Sequence, residues 1–161
     1  MIGKQLVILD NTLFSNFSLV GQANLIIQAW PEAATTTFVI NEYQRGIEVR
    51  KIPDILWDEI RILKLHNVER NLMDSMSSSL GAGESSCLAI AYHRNGLLVS
   101  DDLKARQIAR SMEVSVSGTL GTLLRCVEGR IISLDAANSL LGKMIDYGYH
   151  SPIERLTDLI K

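Results

Sequence analysis

The chain has 161 residues, 47% of them apolar and 21% charged, which excludes a disordered tail or a fibre and suits one domain with a sizeable core. No apolar run approaches the ~18–20 residues of a bilayer-spanning helix, so no membrane role is expected. A net charge of −2 excludes the broad basic field of a strong non-specific nucleic-acid binder, but not an enzyme that cuts nucleic acid at an acidic centre.

In chain order, the opening MIGKQLVILDN turns acidic too early for a signal peptide. Gln5–Leu9 is apolar and β-branched enough for a short buried strand. Asn11 or Thr12 is placed to cap a helix whose apolar face is Leu13, Phe14 and Phe17. A second helix is expected from Gln22 to Trp30, stopped by Pro31. The threonines and β-branched residues of Thr35–Ile40 predict a strand, and Asn41 the cap of a helix carrying Glu42 and Tyr43 in its first turn. Pro53 punctuates the chain, and Ile60–Leu65 reads as an edge or connecting strand.

A polar helix over Asn67–Met76 then runs into a serine loop at Ser77–Ser79. Gly81-Ala82-Gly83 leads into a helix with Cys87, Leu88, Ile90 and Ala91 on its buried face. That glycine pair lacks the Lys-Ser/Thr of a phosphate-cradling loop and reads as a plain turn. Leu97-Leu98-Val99 is a strand ending in Ser100-Asp101-Asp102, followed by a helix containing Lys104, Arg106 and Arg110. Val114–Val116 is a further strand, and Gly118-Thr119 begins a helix with Leu120, Leu123, Leu124 and Val127 inward. From about Ile131 the tail carries two more helices, broken at Gly148 and Pro152. Alternating strands and helices predict an α/β fold, a three-layer α/β/α sandwich around a mainly parallel sheet, as a single domain over 1–161. Cys87 and Cys126 lack CxxC spacing and are expected to be reduced, buried thiols of a cytoplasmic protein.

The chemistry is expected in the acids. Asp10 and the pair Asp101-Asp102 follow buried strands, where an ionised carboxylate is costly unless paired or metal-bound. Glu42 and Glu84 are placed at helix starts. Each of Glu42, Glu84 and Asp102 has a plain alternative as a helix cap or first-turn charge. Taken together, parallel βαβ connections bring strand ends and helix starts to one sheet edge, where ligands bind. Carboxylates gathered there suit Mg²⁺ or Mn²⁺, and no Cys/His cluster offers zinc an alternative. Lys104, Arg106 and Arg110 could contact phosphates or simply form a solvated face, and Trp30 and Trp57 read as core or interface. The apolar C-terminal helices point to a homodimer.

These motifs resemble those of the PIN domains, metal-dependent ribonucleases that include the VapC-type toxins. VILDNT is similar to the first-acid motif, FVINEY to the second, GAGESSCLAIA to the third and LLVSDDLKAR to the fourth. MEVSVSGTLGTLL and YGYHSPIERL resemble a prokaryotic branch in which Gly-Thr follows the last core strand. The resemblance implies a Mg²⁺- or Mn²⁺-dependent endoribonuclease acting on single-stranded RNA, with an antitoxin protein as partner if the chain is a toxin. It also implies Asp10, Glu42, Glu84, Asp101 and Asp102 as catalytic residues. Asp10, Glu84 and Asp101 or Asp102 would hold the metal, with Asp101 the steadier of the pair in that branch. Thr12, Ser100, Lys104, Arg106 and Thr119 are the candidates for substrate contact.

Overall fold

The computed structural model describes residues 5–50 and 57–160. Five short strands, β1 (Val7–Leu9), β2 (Ala34–Thr36), β3 (Arg61–Leu63), β4 (Leu97–Val99) and β5 (Ser115–Ser117), alternate with helices. They form one sheet in the order β3-β2-β1-β4-β5, and every pairing is parallel. β1 is central, with Leu9 level with Val99 on β4.

The helices are α1 (Asn11–Leu19), α2 (Asn24–Ala29), α3 (Thr37–Arg50), α4 (Asn67–Ser75), α5 (Ala82–His93), α6 (Leu103–Ser111), α7 (Thr119–Glu128) and α8 (Leu134–Asp146). Single 3₁₀ turns stand at Trp57–Glu59 and Leu156–Leu159. α5 is the most buried helix: Ser85 to Ala91 are all inaccessible or nearly so, and it packs against β1, β2 and β4 as well as α3, α4 and α6. That explains why its sequence lacks a polar face. α7 packs between α2 and α8. The core runs from Ile8, Leu98 and Val99 in the sheet to Phe14, Phe17, Leu88, Leu123 and Leu141 in the helices. The expected α/β sandwich with a parallel sheet is thus the fold. Among the described residues no helix is long and apolar enough to cross a membrane.

The expected starts of α3 and α1 need correction. The strand expected over Thr35–Ile40 ends at Thr36, and α3 begins at Thr37, because the Thr36 hydroxyl accepts from the Val39 N–H at 3.3 Å and starts the helix there. Asn41 is therefore inside α3 rather than its cap, and Glu42 is beyond the first turn. At α1 the capping side chain is Asp10, which accepts from the Asn11 N–H at 2.7 Å, in place of Asn11 or Thr12. Much of the apolar surface of the tail is used internally: Leu141, Met144 and Leu156 are core residues, leaving Tyr147, Leu159 and Ile160 exposed. Trp30 is core, its indole N–H donating to Thr122 at 3.0 Å with the Arg125 guanidinium over its ring. Pro53 and the side chain of Trp57 lie outside the described residues.

Candidate active site

The carboxyl ends of β1 and β4 lie side by side. The Asp10 N–H donates to the Val99 carbonyl at 3.0 Å, and the Ser100 N–H to the Ser117 carbonyl of β5 at 2.9 Å. The residues that follow each strand are therefore held in the sheet's own register. Asp10 is fully buried. Its two oxygens accept from the Asn11 N–H and from the Ser100 hydroxyl, each at 2.7 Å. Burial pushes its carboxyl up to about 7, the Ser100 hydrogen bond opposes that rise, and the charges of Glu84 and Glu42 add to it.

Glu42 reaches this edge from α3. Its carboxylate accepts from the Gly83 N–H in the first turn of α5 at 2.8 Å. The glycines of Gly81-Ala82-Gly83 are thereby explained. A Cβ on Gly83 would run into the Glu42 carboxylate, and one on Gly81 would come within 2.7 Å of a Glu84 oxygen and 3.4 Å of Glu42. The pair is more than a turn: it clears space for two carboxylates at the start of α5. Glu84 is half-buried; burial raises its carboxyl, and the Glu42 and Asp102 charges raise it further.

The adjacent aspartates separate. Asp102 caps α6, accepting from the Ala105 N–H at 2.9 Å, and its charge is felt at Glu84. Its own N–H donates to the Ser100 hydroxyl at 3.2 Å, so Ser100 ties Asp102 to Asp10. Asp101 turns toward α7. It accepts from the Thr119 N–H at 2.8 Å, from the Thr119 hydroxyl at 2.5 Å and from the Asn16 amide at 3.1 Å. Tyr149 lies beside it as well; burial and then the Asp101 charge push that phenol well above its ordinary value. A Cβ on Gly118 would strike the Asp101 carboxylate, so this glycine serves Asp101 rather than helix–sheet packing alone.

The candidates for substrate contact fall into two groups. The Thr12 hydroxyl accepts from the Asp101 N–H at 2.9 Å, Ser100 bridges the two aspartates, and Thr119 is fully buried with its hydroxyl committed to Asp101. Arg106 Nη1 donates to the Ser100 and Ser117 carbonyls at 2.9 and 2.8 Å, clasping the ends of β4 and β5. Lys104 and Arg110 are exposed on α6. Asn16 and Tyr149 had no signal of their own in the sequence, although Asn16 stands four residues after Thr12 and so on the same face of α1.

The structure therefore brings Glu42 and Glu84 into electrostatic range of Asp10, and Asp102 into range of Glu84, with Asp101 on a neighbouring network. The donors are carboxylate oxygens. The nearest thiol, Cys87, is buried, held well above its ordinary pKa by that burial, and directed at the Leu9 carbonyl. This donor set fits a hard divalent cation in charge and type. Among the described residues, however, no three His, Cys, Asp or Glu side chains stand together closely enough to hold a metal ion.

A family model described as a PIN domain matches residues 6–161, nearly the whole chain. The chain belongs to the PIN-domain family. No curated protein matches it. Family membership and the parallel sheet together give this PIN domain a nuclease-like fold with acids at the carboxyl edge of its central strands.

Proposed function

We propose that this PIN domain is a Mg²⁺- or Mn²⁺-dependent endoribonuclease that hydrolyses phosphodiester bonds of single-stranded RNA, acting as a single domain over 1–161. The observation that carries this reading is that the buried Asp10 at the end of β1, Glu42 and Glu84 at the start of α5, and Asp102 after β4 come to one sheet edge. Acids crowded at a strand end, with further acids as their main charged neighbours, form a place for a cation rather than for an anion. Asp10, Glu84 and Asp102 would hold the ion, with Glu42 beside them. Once bound, a divalent ion lowers the pKa of water toward neutrality and offsets charge on the leaving oxygen.

The chain's own groups do the positioning. Ser100 fixes the Asp10 carboxylate by its hydrogen bond and fixes Asp102 through the backbone. The Gly83 N–H holds one oxygen of Glu42, leaving the other to orient a water. Asp101, joined to Thr12, Asn16 and Thr119, sets the spacing between α1, β4 and α7. In this reading Asp102 is preferred to Asp101 at the metal, because Asp102 acts on Glu84 whereas the Asp101 oxygens are engaged elsewhere. Lys104, exposed in the first turn of α6 beside Asp102, is free to approach phosphates.

A toxin paired with an antitoxin protein is one setting for such an enzyme, in the cytoplasm and as a homodimer through its C-terminal helices. A non-catalytic module that binds RNA or protein is the alternative. It is favoured by the lack of a ready three-ligand cluster among the described residues. Cleavage of a single-stranded RNA in Mn²⁺, against EDTA and against Asp10→Asn, separates the two. The nuclease reading expects cleavage in Mn²⁺ only, and a loss of about a hundredfold or more in the variant. Cleavage that survives both EDTA and Asp10→Asn would eliminate it.

A further inference from the structure

On the far side of Asp101 from Asp10, a cleft of about 560 Å³ opens between α6, β5, α7 and the segment after α8. Asp101 and Arg106 stand at its boundary with the acidic edge, and Leu103, Leu120, Tyr149 and His150 form much of the rest. Its exposed lining is more apolar than polar, and Leu103, directly after Asp102, is 75% exposed. An exposed leucine is ordinary by itself. Here it stands at the mouth of a cleft with two aromatic rings, next to a proposed phosphodiester-cleaving centre. The clefts around Gln5 lie at the amino ends of β1 and β4 instead, away from the acids.

We propose that this cleft is a subsite for a nucleobase of single-stranded RNA, flanking the phosphate presented to the acids. The inference rests on the nuclease reading and deepens it. Three observations support a base as occupant. The volume suits one small planar ligand. The cleft is lined by Asp101 and Leu103, the residues on either side of Asp102. The protein's charge of −2 and its acidic centre cannot hold a polyanion by a general field, so stacking and apolar contact must supply affinity. Leu103 and the rings of Tyr149 and His150 provide that contact.

The test measures binding apart from cleavage. Fluorescence anisotropy of a short fluorescein-labelled single-stranded RNA of mixed sequence is followed in EDTA. Wild type is compared with Leu103→Ser/His150→Ala, two exposed positions, and with RNAs carrying one abasic site at each position in turn. The subsite predicts binding about tenfold or more weaker for the double variant. It also predicts one abasic position that weakens wild type similarly and no longer matters in the variant. The abasic series needs no substitution, so a variant that fails to fold leaves the test intact. No binding by wild type, equal binding by every abasic RNA, or unchanged binding by a folded double variant overturns the subsite. If the substitutions alter only the sedimentation of the protein, the cleft is a protein contact and the proposal also fails. RNA binding with no Mn²⁺-dependent cleavage would sink the nuclease reading and leave the subsite. Cleavage with unaltered binding by the variant would do the reverse.

Discussion

Asp10 is the residue where structure and chemistry conflict most. It caps α1 and is buried without a cationic partner among its main charged neighbours, so its ionisation is paid for in stability. With its carboxyl raised from an ordinary 3.8 to about 7, Asp10 binds a proton in the folded protein that the unfolded chain releases at lower pH. Its neutral form therefore supports folding fully below about pH 4, and that contribution is lost as the pH rises toward about 7. At about 1.4 kcal/mol per unit, the shift from 3.8 to about 7 corresponds to at most about 4 kcal/mol. Asp10→Asn, which keeps an acceptor for Ser100, is expected to raise the metal-free melting temperature at mildly alkaline pH and much less in acid. A melting series that shows no pH-dependent gain would contradict this. Mn²⁺ should stabilise wild type under the same alkaline conditions and not the variant.

Gly83 gives a second residue-scale prediction, because two effects oppose each other. Alanine in a helix gains about 1 kcal/mol over glycine, but here its Cβ meets the Glu42 carboxylate, and overpacking costs about 1–3 kcal/mol. Gly83→Ala is expected to be destabilising by about 1 kcal/mol in a denaturant titration, and to reduce RNA cleavage by displacing Glu42. A gain in stability would mean that the Glu42–Gly83 contact yields without strain.

At the scale of elements, the strands that deliver acid were legible because apolar runs end abruptly at Asp10 and Ser100-Asp101-Asp102, and parallel topology does the rest. The β2–α3 boundary was not legible. Thr35-Thr36-Thr37-Phe38-Val39-Ile40 is β-branched at every position but the aromatic Phe38, and only the Thr36 hydroxyl on the Val39 N–H shows where helix begins. The role of Gly81-Ala82-Gly83 was equally hidden, because Glu42 comes from another helix. So was Glu69, a buried carboxylate in what reads as a polar helix. It closes the start of α4 by accepting from the His66 N–H at 2.7 Å, and it pairs with Arg94 after α5 at 2.7 and 2.8 Å. Burial opposes its charge, but the Arg94 and His66 hydrogen bonds win and hold its carboxyl below the usual value. This contribution is present above the ordinary carboxylate value of 4.5 and is lost as the pH falls through the lowered one. Glu69→Ala is expected to cost about 2–4 kcal/mol, with the deficit narrowing in acid. A denaturation midpoint within the scatter of wild type would refute the pair's structural role.

At the scale of the whole molecule, the parallel sheet collects chemistry at one edge while the surface stays acidic overall. Separating a local acidic centre from any basic field has a consequence for substrate binding. Log affinity for single-stranded RNA should fall with log salt at a slope of magnitude below about 2, since each neutralised phosphate contributes about 0.7 and few cations among the described residues, Lys104 being one, are exposed near the site. A steep slope would indicate a basic surface elsewhere.

The most direct measurement is anomalous diffraction from crystals soaked in Mn²⁺ at a pH above about 7, where Asp10 is ionised. The expected result is a Mn²⁺ peak within about 2.0–2.3 Å of oxygens of Asp10 and Glu84, with Asp102 nearer to it than Asp101. No peak at that edge, or a peak bound by Asp101 without Asp10, would contradict it.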